Sequence, residues 1–170
     1  ARILDDDKVL HRSQSLLTNG IQTAGNVFTQ VGVVTDIIQG IIRSEIDNYR
    51  LRFKDSEEGL MTNWPAAYSL KGWIVRMKSG GELNSHMHEN GWISGSIYIN
   101  VPPKSYHDSG NLVLELEDTK NGLGASQNME SIDVVTGSLC LFPSSLNHYT
   151  IPFEAKEDRV VLAFDVIPDE

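Results

Sequence analysis

The sequence predicts a mainly β protein, a double-stranded β-helix (jelly-roll) core with N-terminal flanking helices. Two observations point there. Near residue 60 the spacing of apolar residues changes from three-and-four to short alternating runs. From there to the end, Gly, Pro and Asn-Gly signals divide the chain into eight such runs, the punctuation of a barrel or sandwich. At 170 residues the chain is expected to be one domain, with 1–59 as the helical flank and 60–170 as the jelly-roll core. A chain of this length buries enough surface to hold together without a disulfide or structural metal.

The first element expected is a weak helix over 5–17, ending at Asn19-Gly20, followed by a stretch over 22–30 with no clear period. A stronger helix spans 35–54, where Ile37, Ile38, Ile41, Ile42, Ile46, Tyr49 and Phe53 form one stripe. Thr35 and Asp36 suit its start, and 55–59 carries a stop signal. Strands follow at 68–78, ended by Ser79-Gly80-Gly81, and at 82–88, ended by Glu89-Asn90-Gly91. The next runs over 92–101 and stops at Pro102-Pro103. The remainder are 112–117, 132–136, 138–142, 149–153 and 159–167.

Charge and cysteine content narrow the function. The 14 Lys and Arg set against 23 Asp and Glu give −9, which disfavours nucleic acid, since phosphate affinity rests on Lys and Arg. Arg50, Arg52 and Lys54 are too few to reverse this. The single Cys140 forms no internal disulfide and reads as a small buried strand residue, so a reduced, cytoplasmic setting is expected. No membrane span is expected, because the longest apolar stretch, 31–42, is interrupted by Thr35, Asp36 and Gly40. Asp5-Asp6-Asp7 stands where a signal peptide would be basic, and a start at Ala1 suggests a trimmed chain or a fragment.

Two strands have faces that suit a ligand. Over 92–101, Ile93, Gly95, Ile97, Ile99 and Val101 share one side, while Trp92, Ser94, Ser96, Tyr98 and Asn100 share the other. A polar face turns to water in most strands, but a barrel that encloses a ligand turns it inward. In the last strand Val160, Leu162, Phe164 and Val166 form an apolar side, and Arg159 precedes the small Val161 and Ala163 on the other. A long cation beside small neighbours leaves room for an anion. His86 and His88, at i and i+2, project from one face, so both imidazoles can reach one metal ion. His148, after a strand ended by Pro143, is the natural third ligand. Imidazoles suit iron, zinc, copper or nickel alike. His11, on the helical flank, and His107, in a polar loop, read as ordinary histidines.

His86-x-His88, Ile97-Tyr98-Ile99-Asn100, Gly110-Asn111-Leu112, Leu141-Phe142-Pro143, His148 and Arg159 follow in one order. That order resembles the iron(II)- and 2-oxoglutarate-dependent oxygenases, specifically the prolyl-hydroxylase-like branch and its bacterial and phage relatives. Gln22-Thr23-Ala24-Gly25-Asn26-Val27-Phe28 resembles a segment upstream of their core, so the likeness spans about 22–167.

The resemblance implies iron(II) as metal, with His86 and His148 as the two histidine ligands. It puts His88 where most of the superfamily has aspartate, Arg159 on the distal carboxylate of 2-oxoglutarate, and Tyr98 on the same carboxylate. Val161 stands where a serine is usual two residues after Arg159, so Tyr98 would take the serine's part. A three-histidine set carries one more positive charge than two histidines and a carboxylate, and His88→Asp is expected to keep iron bound. The implied partners are 2-oxoglutarate and O2, giving succinate, carbon dioxide and a hydroxylated substrate. A prolyl or other amino-acid side chain is the expected substrate class, with a small molecule as the other. The loops around Trp64, 102–109 and 118–128 are expected to frame the entrance.

A cupin is the alternative. Gly80, five residues, then His86-x-His88, and Gly137, Pro143, His148, resemble the two cupin motifs. Trp92 and Ile93 stand where a cupin would place its glutamate, and a cupin gives Arg159 no part. The cupin reading would make the chain a metal-binding protein or a dioxygenase that does not use 2-oxoglutarate.

Overall fold

The computed structural model describes residues 10–12, 14–116 and 128–169. Among these residues nine strands form a single curled sheet: β1 (His11–Arg12), β2 (Leu17–Thr23), β3 (Tyr68–His86), β4 (Ile93–Asn100), β5 (Leu112–Leu116), β6 (Asn128–Ile132), β7 (Leu139–Pro143), β8 (His148–Thr150) and β9 (Arg159–Pro168). Their order is β6-β5-β8-β3-β9-β4-β7, with β2 also on β3 and β1 on β2. This is the double-stranded β-helix expected, with α1 (Val33–Arg52) laid on one face and a short α2 (Gly59–Thr62) after it.

The helix α1 is held by part of its stripe. Ile42 and Ile46 are fully buried against Leu70, Ile93, Phe164 and Val166, with Ile38 and Tyr49 packed beside them. Burying each large aliphatic side chain contributes about 1.5–3 kcal/mol. Ile37 and Ile41, one step round the helix, remain half exposed. Val160, Leu162, Phe164 and Val166 all face this side, so β9 shows its other face to the interior.

The first 59 residues contain more than helix. The described part of 5–17 carries the two-residue β1 and no helix, and β2 pairs with β3 from Leu17 and Leu83 to Gln22 and Val75. His11 therefore lies on an edge strand, exposed. The segment without a clear period also has a role: Asn26 bridges to β3, its Nδ2 donating to Leu70 O (2.8 Å) and its Oδ1 accepting from Gly72 N (2.9 Å). It thereby seats the 3-10 turn Val27–Thr29, whose Phe28 ring occupies the space over Gly72. A Cβ at Gly72 would come within 2.4 Å of that ring.

Two expected strands merge into β3. Ser79-Gly80-Gly81 forms a bulge, with Gly80 at φ 71°, instead of a chain reversal. Residues 78–81 of β3 face only Asn19 of β2, because both flanks remain paired. The bulge lets β3 change neighbours on its other edge. Residues 68–77 pair with β9, and Leu83 and His86 pair with β8. The strand expected at 132–136 is β6, ending at Ile132, because Leu112 to Leu116 draw residues 128–132 into register. Among the described residues no helix is long and apolar enough to cross a membrane.

Candidate active site

His86 ends β3 and His148 begins β8, and the two are cross-strand partners. His88 lies just beyond the strand, contrary to the expected strand end, and its backbone N–H donates to Ser144 O at 3.0 Å. The three rings still converge, with centroids 4.4 Å apart for His86 and His148 and 5.1 Å for each of the other pairs. One ring nitrogen of each lies within 4.8 Å of the others.

The hydrogen bonds set the tautomers. Nδ1 of His86 meets Asn84 O at 2.8 Å, Nδ1 of His148 meets Leu146 O at 3.1 Å, and Nδ1 of His88 meets Asp165 Oδ1 at 2.6 Å. These oxygens accept, so each Nδ1 carries the proton and each Nε2 keeps its lone pair for a metal. Burial pushes the His148 imidazole down to about 4 and lowers that of His86, so both are neutral at pH 7. Two neutral imidazoles and the His88 ring beside them are a donor set that fits a divalent iron.

Arg159 and Tyr98 form the other pole. Arg159 opens β9 and is 3% exposed, with its guanidinium carbon 5.2 Å from the centre of the Tyr98 ring and a hydrogen bond between the side chains. Burial pushes the Tyr98 hydroxyl up to about 12 and lowers the pKa of the guanidinium. Among the described residues the buried Arg159 Nε has no hydrogen-bond partner, and no carboxylate pairs with the side chain. Asp158, its neighbour in sequence, pairs with Arg76 at 3.7 Å. A buried guanidinium left in this state is costly, and a bound carboxylate would relieve it.

Both poles line one cavity of about 540 Å³. Ser94, Ser96 and Tyr98 of β4 face into it, as do Val161 and Ala163 of β9, so the middle of the polar side expected over 92–101 is an interior face, while Trp92 packs against the α1 core and Asn100 donates to Asp158 O. Arg12, Gln14, Gln22, Lys71, Glu89 and Asn90 also line the cavity. Of the loops expected at the entrance, Trp64 packs against the α1 core instead, and residues from 101–108 line a separate surface groove. Most of 118–128 lies outside the described residues. His107 is almost fully exposed, far from burial of any kind.

One residue of the site escaped the sequence reading. Asp165 continues the β9 face of Arg159, Val161 and Ala163 into the cavity, where it is 7% exposed and hydrogen-bonded to His88 and Ser94. Its signal was available, because Asp165 is an acidic residue inside an otherwise apolar final strand.

Residues 71–165, more than half of the chain, match the sequence profile of the family described as "Putative 2OG-Fe(II) oxygenase". Among solved structures, the chain is similar in fold to a prolyl-4-hydroxylase of Pseudomonas putida (TM-score 0.65, 14% identity, covering 99% of this chain and 82% of that one). It is also similar to a prolyl hydroxylase of Trichoplax adhaerens (0.63, 15%, 98% and 73%) and to HygX of Streptomyces hygroscopicus (0.61, 12%, 98% and 76%). No curated protein matches the chain in sequence. The matched span contains all three clustered histidines, Tyr98, Arg159 and Asp165, and the chain belongs to the 2OG-Fe(II) oxygenase family, enzymes that use iron(II) and 2-oxoglutarate.

Proposed function

We propose that residues 1–170 act as one oxygenase domain that hydroxylates an amino-acid side chain, with a prolyl residue of a peptide as the leading candidate. In this reading His86, His88 and His148 hold the iron, and Arg159 with Tyr98 holds the distal carboxylate of 2-oxoglutarate. The single observation that carries it is one cavity with three clustered imidazoles at one pole and, at the other, a buried guanidinium that has no carboxylate partner among the described residues. When bound, the iron and 2-oxoglutarate supply the chemistry by which one oxygen atom of O2 enters a substrate C–H bond and the other enters succinate, with loss of carbon dioxide.

The chain's own groups have defined tasks in this reaction. The carbonyls of Asn84 and Leu146 keep two imidazoles in the ligating tautomer. The Arg159 fork binds a carboxylate through two parallel N–H bonds, and the Tyr98 hydroxyl, held un-ionised by burial, adds a donor. Val161, Phe142 and Leu112 keep that pole apolar and exclude water, which strengthens both contacts.

The prolyl assignment draws on two of the structures similar in fold, a prolyl-4-hydroxylase and a prolyl hydroxylase in complex with a peptide fragment of hypoxia inducible factor. HygX, which has hygromycin B bound in one structure, keeps a small-molecule substrate as the second class. Nothing in the site favours the cupin alternative, which gives Arg159 no part. The test is aerobic incubation with iron(II), 2-oxoglutarate and a library of proline-containing peptides, reading succinate and a mass gain of one oxygen. Hydroxylation of small molecules but of no peptide would overturn the substrate class. Absence of 2-oxoglutarate binding would overturn the whole reading.

A further inference from the structure

We propose that Asp165 is a positioning residue for His88, and that it supplies, one hydrogen bond behind the metal, the negative charge that a three-histidine ligand set lacks. The inference rests on His88 being a ligand. Four observations lead to it. Asp165 Oδ1 accepts from His88 Nδ1 at 2.6 Å and from Ser94 Oγ at 2.7 Å. Ser94 Oγ in turn lies 2.8 Å from Ser144 Oγ, and both serines are buried. A chain of donors thus runs from Ser144 through Ser94 to the carboxylate and fixes its rotamer. Gly91 allows the approach, since a Cβ there would come within 2.4 Å of Ser144 Oγ.

The fourth observation concerns charge. Among the described residues no Lys or Arg pairs with Asp165, which meets the His88 ring and the Ser94 hydroxyl instead. A carboxylate with its side chain only 10% exposed and no lysine or arginine beside it is costly. A cation on the far nitrogen of the same imidazole removes that cost, because metal on Nε2 makes Nδ1–H a stronger donor. His88 and Asp165 together then present one negative charge to the metal, as a coordinating carboxylate would. In this arrangement the charge is needed once, at either of two places. An aspartate in place of His88 would put its own oxygen where Nδ1 now stands, against the Asp165 carboxylate, so His88→Asp loses its advantage while Asp165 is present.

The test is calorimetric titration of the full chain with manganese(II), together with the visible spectrum of the cobalt(II) form. Asp165→Asn keeps the shape and loses the charge, and is expected to weaken manganese(II) binding by roughly ten- to 100-fold. His88→Asp is expected to bind no better than Asp165→Asn. The double variant His88→Asp/Asp165→Asn should recover binding to within about tenfold of the wild type, with a cobalt(II) spectrum altered by the new oxygen ligand. A purely structural Asp165 predicts the reverse order, with the double variant weakest, and that result would overturn the proposal. So would wild-type manganese(II) affinity in Asp165→Asn. If the variants do not fold, nitrogen-15 spectra of the zinc-loaded wild type decide: a proton on His88 Nδ1 with zinc on Nε2 is expected, and a proton on Nε2 overturns the inference. Metal retained in His86→Ala would sink the ligand reading itself. Metal lost there but unchanged in Asp165→Asn would sink only the role of Asp165.

Discussion

His86 and His148 stand directly opposite each other across the β3–β8 pair, with their rings 4.4 Å apart. Two residues far apart in sequence are thus fixed by one strand register, and a one-residue slip would send one ring to the opposite face. The bulge at residues 78–81 of β3 is what permits this, because it frees the end of β3 from β9 and brings it to β8.

The proposed ligand set predicts that His86→Ala and His148→Ala each lose most of their iron(II) or manganese(II) affinity. His11→Ala and His107→Ala, both exposed, should bind as the wild type does. Metal content after anaerobic loading and desalting measures this, and a full complement in His148→Ala would refute the site.

Arg159→Met should weaken 2-oxoglutarate binding by at least about tenfold, since a charge-assisted hydrogen bond is worth about 1.5–3 kcal/mol, or roughly ten- to 150-fold in affinity. Tyr98→Phe should move the same way by less. Calorimetry on the manganese-loaded protein, which does not turn over, reads both. Because the guanidinium is buried with no carboxylate beside it among the described residues, Arg159→Met is also expected to hold or raise Tm in the absence of 2-oxoglutarate. A clear fall in Tm would mean that the side chain is a structural element.

Cys140 should react slowly. Burial pushes its thiol up to about 11, so the reactive thiolate at pH 8 is on the order of one molecule in a thousand. Labelling by a disulfide reagent should be about 100-fold slower than in the urea-unfolded chain and should quicken about tenfold per pH unit up to about pH 11. Rapid labelling at pH 8 would contradict this.

The helix stripe divides into two classes of residue. Ile46→Ala, in the fully buried half, should cost about 2–5 kcal/mol. Ile37→Ala, at 57% exposure, should stay within about 0.5 kcal/mol of the wild type. Urea denaturation midpoints would show the contrast, and equal losses would mean that Ile37 is covered by something else.

Much of the site was legible because alternation along a strand is a local property. Tyr98 and Arg159 face the cavity since Ile97 and Val160 must face away from it, and the pair of histidines at 86 and 88 could be matched to His148 by residue type and order. Asp165 was equally well placed by alternation, yet a lone carboxylate in an apolar strand has no meaning until its partner is known. That partner, His88, is 77 residues away. The stripe on α1 was correct in period but too wide, because which flank of a helix is covered depends on the sheet beneath it.

The sequence by itself determined the mainly β class, the long helix, which face of β4 and of β9 looks inward, and the residue types of the histidine cluster. Each of these follows from periodicity or side-chain chemistry within a few neighbouring residues. Only the tertiary structure decided that Ser79-Gly80-Gly81 is a bulge and not a turn, and that residues 17–23 enter the sheet. It alone brought Asp165, Ser94 and Ser144 behind His88. These are pairings between distant segments, made because unpaired backbone groups and buried charges must find partners wherever the fold brings them.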